Sequence, residues 1–294
     1  MSNMEGKRNR QLGYASSLKK QQGVPVLMGV LNATPDSFYE ESRVEHIDIA
    51  IQKGLQMWDE GATWIDVGGE STRPGADEVT ILEEIERVIP VIEGLRQHRP
   101  DGFISIDTRH PETARAALEA GADMVNDVTG LRNPAMVDLV VEYQCPVCIM
   151  HMLGEPKTMQ SNVEYNDVVT EVSSEIRQRV EELIDRGFPI EHIVVDPGIG
   201  FGKLTEHNVE LLQAAQSFSP QPEISVLWGV SRKSIIGALT GQESPHHRLA
   251  GTLGVAAFAM SKGIDLLRVH DVREHADLLS VLSTLHGHKR HPPR

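Results

Sequence analysis

Two short basic segments stand near the end of the chain, Ser231-Arg232-Lys233-Ser234 and Arg268-Val269-His270. Cations gathered this way in a chain rich in acids read as a pocket for phosphate or pyrophosphate. On a strand, residues i and i+2 share a face, so Arg268 and His270 are expected to point the same way. A second anion-binding candidate is Asp66-Val67-Gly68-Gly69-Glu70-Ser71-Thr72-Arg73. Its glycines allow close backbone approach, and Thr72 and Arg73 add a hydroxyl and a planar fork suited to phosphate oxygens. Asp107, Asn126 and Asp196 fall in three separate apolar runs. A carboxylate pairs at two points with an amino-imine edge such as that of a pterin or guanine, and an amide beside it both donates and accepts. The run Asn32-Ala33-Thr34-Pro35-Asp36-Ser37 is rich in oxygen. It reads as a turn or as a loop for a hard cation such as Mg²⁺ shared with a phosphate, with Asn32 as the candidate metal ligand. Asp196-Pro197-Gly198-Ile199-Gly200-Phe201-Gly202-Lys203 has the wrong glycine spacing for a dinucleotide fingerprint, and Phe201 could form a stacking wall.

These groups need elements that bring them together. Short β-branched runs cover residues 26–32, 64–69, 103–108, 124–128, 147–152, 193–198, 226–231 and 266–271. Most are almost continuously apolar, as parallel strands buried on both faces are. Between them, helical spacing of apolar residues marks 47–60, 81–95, 111–120, 134–143, 163–186, 208–218, 248–261 and 272–285. Eight strand–helix pairs predict a single (β/α)₈ TIM barrel, with an open doubly wound sheet as the alternative. Nearly every run ends in a polar group: Asn32, Asp66, Asp107, Asn126, His151, Asp196, Lys233, His270. In a barrel those ends converge on one mouth. Helix capping accounts for some of them but not for the whole set.

The chain has 294 residues, 28 Lys and Arg against 42 Asp and Glu, and a net charge of −14. That balance argues against nucleic acid and anionic membranes as partners. Residues 1–23 and 287–294 are basic and lack apolar runs, so they are expected to be solvated tails flanking a barrel domain over 24–286. Nothing approaches the roughly 18 apolar residues of a membrane span. Cys145 and Cys148 are the two cysteines. Three residues apart at the start of an apolar run, they face opposite ways, which suits structural thiols in a reducing cytoplasm.

The motifs MGVLNATPDSF, GATWIDVGGESTRPGA, ISIDT, MVNDVTGL, MHMLGEPKTMQ, VVDPGIGFGK, GVSRKS and RVHDV occur in this order across the body of the chain. Together they resemble the dihydropteroate synthase family of folate biosynthesis. The resemblance implies a cytoplasmic homodimeric barrel enzyme that joins 6-hydroxymethyl-7,8-dihydropterin pyrophosphate to p-aminobenzoate, with Mg²⁺ assisting, and that sulfonamides inhibit. It implies that Asp107, Asn126, Asp196 and Lys233 hold the pterin, with Met150 on its face. Asn32, Thr72, Arg73, Arg268 and His270 would bind the pyrophosphate, Asn32 also holding the metal. Phe201, Lys233 and Ser234 would form the p-aminobenzoate slot, and Asp107, Lys233, Arg268 and His270 would be catalytic. The first loop departs from the family, with Tyr39-Glu40-Glu41 where Asp-Gly-Gly is usual. Two other readings use the same barrel. A pterin-dependent methyltransferase would keep the pterin acids but would not need Thr72, Arg73, Arg268 and His270. A catalytically silent pterin binder would have lost strand-end polar groups.

Overall fold

A computed structural model of the chain describes residues 2–33, 42–70, 79–154, 159 and 163–287. The eight strands are β1 (Val26–Asn32), β2 (Trp64–Gly68), β3 (Phe103–Asp107), β4 (Met124–Asp127), β5 (Val147–Met150), β6 (Ile193–Asp196), β7 (Ser225–Trp228) and β8 (Leu266–Val269). All pair in parallel, in sequence order, and β8 closes onto β1 with Met28 opposite Arg268. Closure rules out the open sheet. The helices are α1 (Ser2–Ser17), α2 (Ser42–Asp59), α3 (Ile81–His98), α4 (Pro111–Ala120), α5 (Pro134–Tyr143), α6 (Val168–Asp185), α7 (Thr205–Ala214), α8 (Ser234–Thr240), α9 (Leu249–Ser261) and α10 (Val272–Leu285).

Local chemistry sets where helices begin. Thr80 and Glu83 form a reciprocal capping box at α3, Asn133 and Asp167 cap α5 and α6, and Pro111 and Pro134 open α4 and α5. Gly121, at φ +118°, ends α4 in the left-handed conformation that glycine adopts freely. The strands then sort their side chains by parity. Ile65, Val67, Ile104, Ile106, Val125, Ile149, Val195 and Leu267 point outward into one core shared with the helices. Met28, Trp64, Met124, Cys148, Val194, Leu227 and Leu266 point inward and fill the lower half of the barrel. The two cysteines divide accordingly, Cys145 in the outer core and Cys148 in the inner one. Burial pushes Cys145 up to about 12 and Cys148 well above its ordinary value, so both thiols stay protonated.

The N-terminal region corrects the expectation of a solvated tail over 1–23. Tyr14 and Leu18 are buried in the inner core, and Trp64 Nε1 donates to the Ser17 carbonyl at 3.0 Å. Asp123, itself buried, accepts from Arg10 Nε at 2.8 Å, Arg96 Nη2 at 2.6 Å, Tyr14 Oη at 3.1 Å and the Ile104 amide at 3.1 Å. Lys19 donates to the Ile224 carbonyl and Lys20 to that of Gly263, both beside Asp265. Arg10, Lys19 and Lys20 are thus consumed under the barrel, and α1 closes its floor. Residues 288–294 of the other expected tail lie outside the described residues. Asp123→Ala leaves two buried guanidinium groups without their carboxylate. It should cost about 3–5 kcal/mol in urea unfolding; a loss below about 1 kcal/mol would show that the floor is not held this way.

Candidate active site

Above the apolar floor the inward positions become polar. Asp66, two residues after Trp64 on β2, is fully buried. Its Oδ2 accepts from Asn126 Nδ2 at 3.0 Å and from Arg268 Nε at 2.6 Å. Arg268 Nη2 donates to Asp107 Oδ2 at 2.5 Å. One guanidinium on β8 therefore spans carboxylates on β2 and β3, and Asn126, opposite Asp107 in register, completes the ring from β4. Burial opposes the Arg268 charge, but Asp66 and Asp107 raise its pKa overall. Burial pushes Asp107 up to about 7, with Arg268 pulling down and Asp66 adding to the rise.

The opposite wall comes from β5 to β7. Asp196 is raised by burial, while Lys233 draws it down, and its Oδ1 accepts from the Gly198 amide at 2.7 Å. Lys233 lies at the end of the loop after β7. Its Nζ donates to the Ile199 carbonyl at 2.6 Å and stands 4.3 Å from the centre of the Phe201 ring. Burial pushes Lys233 down to about 8, against the pull of Asp196. Met150 and Phe201 share a small apolar cluster with Val128, Met152 and Met159. The site is thus acidic and amidic on one side, cationic on another, with a thioether and aromatic wall between.

Several sequence expectations meet here: Asp107, Asn126 and Arg268 touch within one network, and Asp196, Lys233, Met150 and Phe201 form its far wall. Arg268 and His270 differ in their partners. Arg268 crosses the barrel to the two carboxylates, whereas His270 Nδ1 lies 3.0 Å from Ser231 Oγ in the loop after β7. Asn32 is exposed at the tip of β1, and exposed Ser234 opens α8. Thr72, Arg73 and the loop over 34–41 lie outside the described residues. Sequence reasoning gave Asp66 no role beyond a polar strand end. The inward parity of Trp64 carries the signal, since it places Asp66 inside one layer higher. Lys203 and His151, both buried, were also left without a role.

The pterin binding enzyme family matches residues 28–270, a span that contains this whole polar layer. The chain belongs to that family. Dihydropteroate synthase of Haemophilus influenzae is 42% identical over 268 residues, covering 91% of this chain and 96% of that protein. The solved structure of Xanthomonas albilineans dihydropteroate synthase with 4-aminobenzoic acid aligns at TM-score 0.82 and 42% identity, over 90% of this chain and 94% of that one. The Burkholderia cenocepacia enzyme complexed with 7,8-dihydropteroate aligns at TM-score 0.81 and 43% identity, over 90% and 92%. Like its relatives in the pterin-binding family, this chain is an enzyme of the transferase class.

The two shifted groups set a pH window. Asp107 offers two charged acceptor oxygens only as the carboxylate, which is lost as pH falls through about 7; Lys233 carries its positive charge only as the ammonium, which is lost as pH rises through about 8. The kcat/KM for the pterin substrate should therefore be bell-shaped with limbs near those values, and Lys233→Arg should remove the alkaline limb. A profile flat from pH 6 to 9 would contradict these assignments.

Proposed function

We propose that the chain is a dihydropteroate synthase that condenses 6-hydroxymethyl-7,8-dihydropterin pyrophosphate with p-aminobenzoate. The observation that carries this reading is the Asp66–Arg268–Asp107 bridge with Asn126 beside it. It sets a two-point acceptor for an amino-imine edge against a cation able to leave that acceptor for an anion. Asp107, Asn126, Asp196 and Lys233 hold the pterin, and Met150 lies on its face. When the pterin edge takes over the Asp107 oxygens, Arg268 Nη2 is freed toward the pyrophosphate, which His270, Thr72 and Arg73 also grip. The C–O bond from the pterin methylene breaks with its electron pair going to the pyrophosphate oxygen. Asp107 and Asp196 stabilise the resulting delocalised cation. The neutral amine of p-aminobenzoate, between Phe201, Lys233 and Ser234, supplies its lone pair to the methylene carbon and then loses a proton. No enzyme nucleophile is required.

Mg²⁺ suits this site because that ion takes oxygen ligands, keeps several waters and shares the rest of its shell with phosphate. Asn32, at the mouth, offers one amide oxygen; when bound, the ion would neutralise part of the pyrophosphate charge. The chain acts as a homodimer in this reading. Helix α9 carries no charged side chain, and Phe258, Val281 and Leu285 are exposed on it and on α10. Two buried free thiols fit the cytoplasm. Sulfonamides compete for the p-aminobenzoate slot.

A coupled assay should show pyrophosphate release only when p-aminobenzoate is present. A methyltransferase or a silent binder would give none. Arg268→Ala should weaken the pterin pyrophosphate substrate by about 2–4 kcal/mol, while Asp107→Asn should lower kcat more than it weakens pyrophosphate binding. Unchanged affinity in the first variant would refute the role given to Arg268.

A further inference from the structure

Beneath the Phe201 loop lies a buried cation that the chemistry above does not use. Lys203 is 4% exposed. Its Nζ lies 2.9 Å from the Phe201 carbonyl, 3.3 Å from the His151 carbonyl and 3.0 Å from His151 Nδ1. An ammonium has three N–H donors, and these three acceptors use them all. Lys203 therefore has no donor left for a substrate. The arrangement also settles the imidazole. Burial lowers the His151 pKa, so the ring is neutral; with Nδ1 accepting, its proton sits on Nε2, which faces the exposed Glu175 carboxylate on α6 at 3.5 Å.

What the ammonium joins is the loop after β5 to the loop after β6. These segments touch so closely that a Cβ on Gly198, at φ +70°, would come within 1.8 Å of the His151 carbonyl, and one on Gly202 within 2.7 Å of Leu153 Cβ. The first loop carries Met152, two residues past Met150 at the end of β5; the second carries Phe201. Lys233 reaches the same second loop from the other side through the Ile199 carbonyl. Of the two lysines that bond this loop, Lys233 works from the substrate side and Lys203 from below. Burying a second cation so near Lys233 is costly: burial pushes Lys203 down to about 7, and Asp196 opposes that. A chain that needed only packing here would place an apolar side chain.

We propose that Lys203, keyed by His151, is a positioning residue for the aromatic-amine subsite, fixing the height of Phe201 against the β5 loop. The inference rests on the p-aminobenzoate reading above. It differs from a general stabilising role because its effect should fall on one substrate. The test is steady-state kinetics of the full chain, varying each substrate in turn, on wild type, Lys203→Met, His151→Leu and His151→Asn, with melting temperatures for each. Asparagine keeps an acceptor where Nδ1 stands. Lys203→Met and His151→Leu should raise the KM for p-aminobenzoate about tenfold or more, the effect of roughly one charged hydrogen bond. The KM for pterin pyrophosphate should move less than about threefold, and His151→Asn should recover most of the loss. Equal rises in both KM values, a fall in kcat alone, or no change in a folded variant would overturn the proposal. If Lys203→Met does not fold, the His151 pair carries the same test. Wild type without p-aminobenzoate-dependent turnover would sink the functional reading itself, a result distinct from any of these.

Discussion

Arg268 holds its charge inside a barrel only because Asp66 and Asp107 lie on either side of it. A guanidinium and two carboxylates at this depth are each expensive to desolvate, and each is tolerable only with the others present. Much of the surrounding structure serves that condition. The floor of Met28, Trp64, Met124, Leu227 and Leu266 fills the lower half of the barrel below the polar layer. Tyr14 of helix α1 and Leu18 just after it seal the floor, and Asp123 fastens the helix between two arginines. The register that puts Trp64 and Asp66 on one face, one layer apart, turns a packing rule into a binding site.

The same network reconciles the charge of the chain with its proposed ligand. A net charge of −14 repels a pyrophosphate in general. Attraction must be local, and the structure gathers Lys233 and Arg268 at the mouth while it spends Arg10, Lys19 and Lys20 on acids at the opposite end. Arg268 arrives already compensated, so no unpaired guanidinium is buried in the site before an anion enters. An amino-imine edge on Asp107 would convert that stored cation into an available one.

Much of this was legible in the sequence because barrel strands announce themselves twice, by continuous apolar runs and by polar residues at their ends. The bounds of β1, α4, α5 and α10 agree with the periodicity. The other strands stop one to three residues short of their apolar runs. Thr108, His151 and Ser231 fall within those runs but lie beyond the ends of the ladder. Helix α1 escaped because its sequence is mostly polar residues and glycine; Tyr14, the adjoining Leu18 and the Arg10–Asp123 ion pair decide its place, and periodicity does not register so few. Asp123 and Lys203 escaped for a related reason. Each looks like an ordinary surface charge, and only the tertiary structure shows that several partners from distant segments surround it. Helix α8 falls between the run expected over 226–231 and the helix expected over 248–261, and the 208–218 segment breaks at Ala215 into a tighter turn.

If Arg268 is exchanged between Asp107 and the anion, then filling the pterin pocket must strengthen anion binding. Calorimetric titration of pyrophosphate into the protein, with and without saturating 6-hydroxymethyl-7,8-dihydropterin, measures this directly. The account predicts at least about tenfold tighter pyrophosphate binding when the pterin is present, a coupling of roughly 1.4 kcal/mol. Equal or weaker binding in its presence would contradict the exchange on which the site is built.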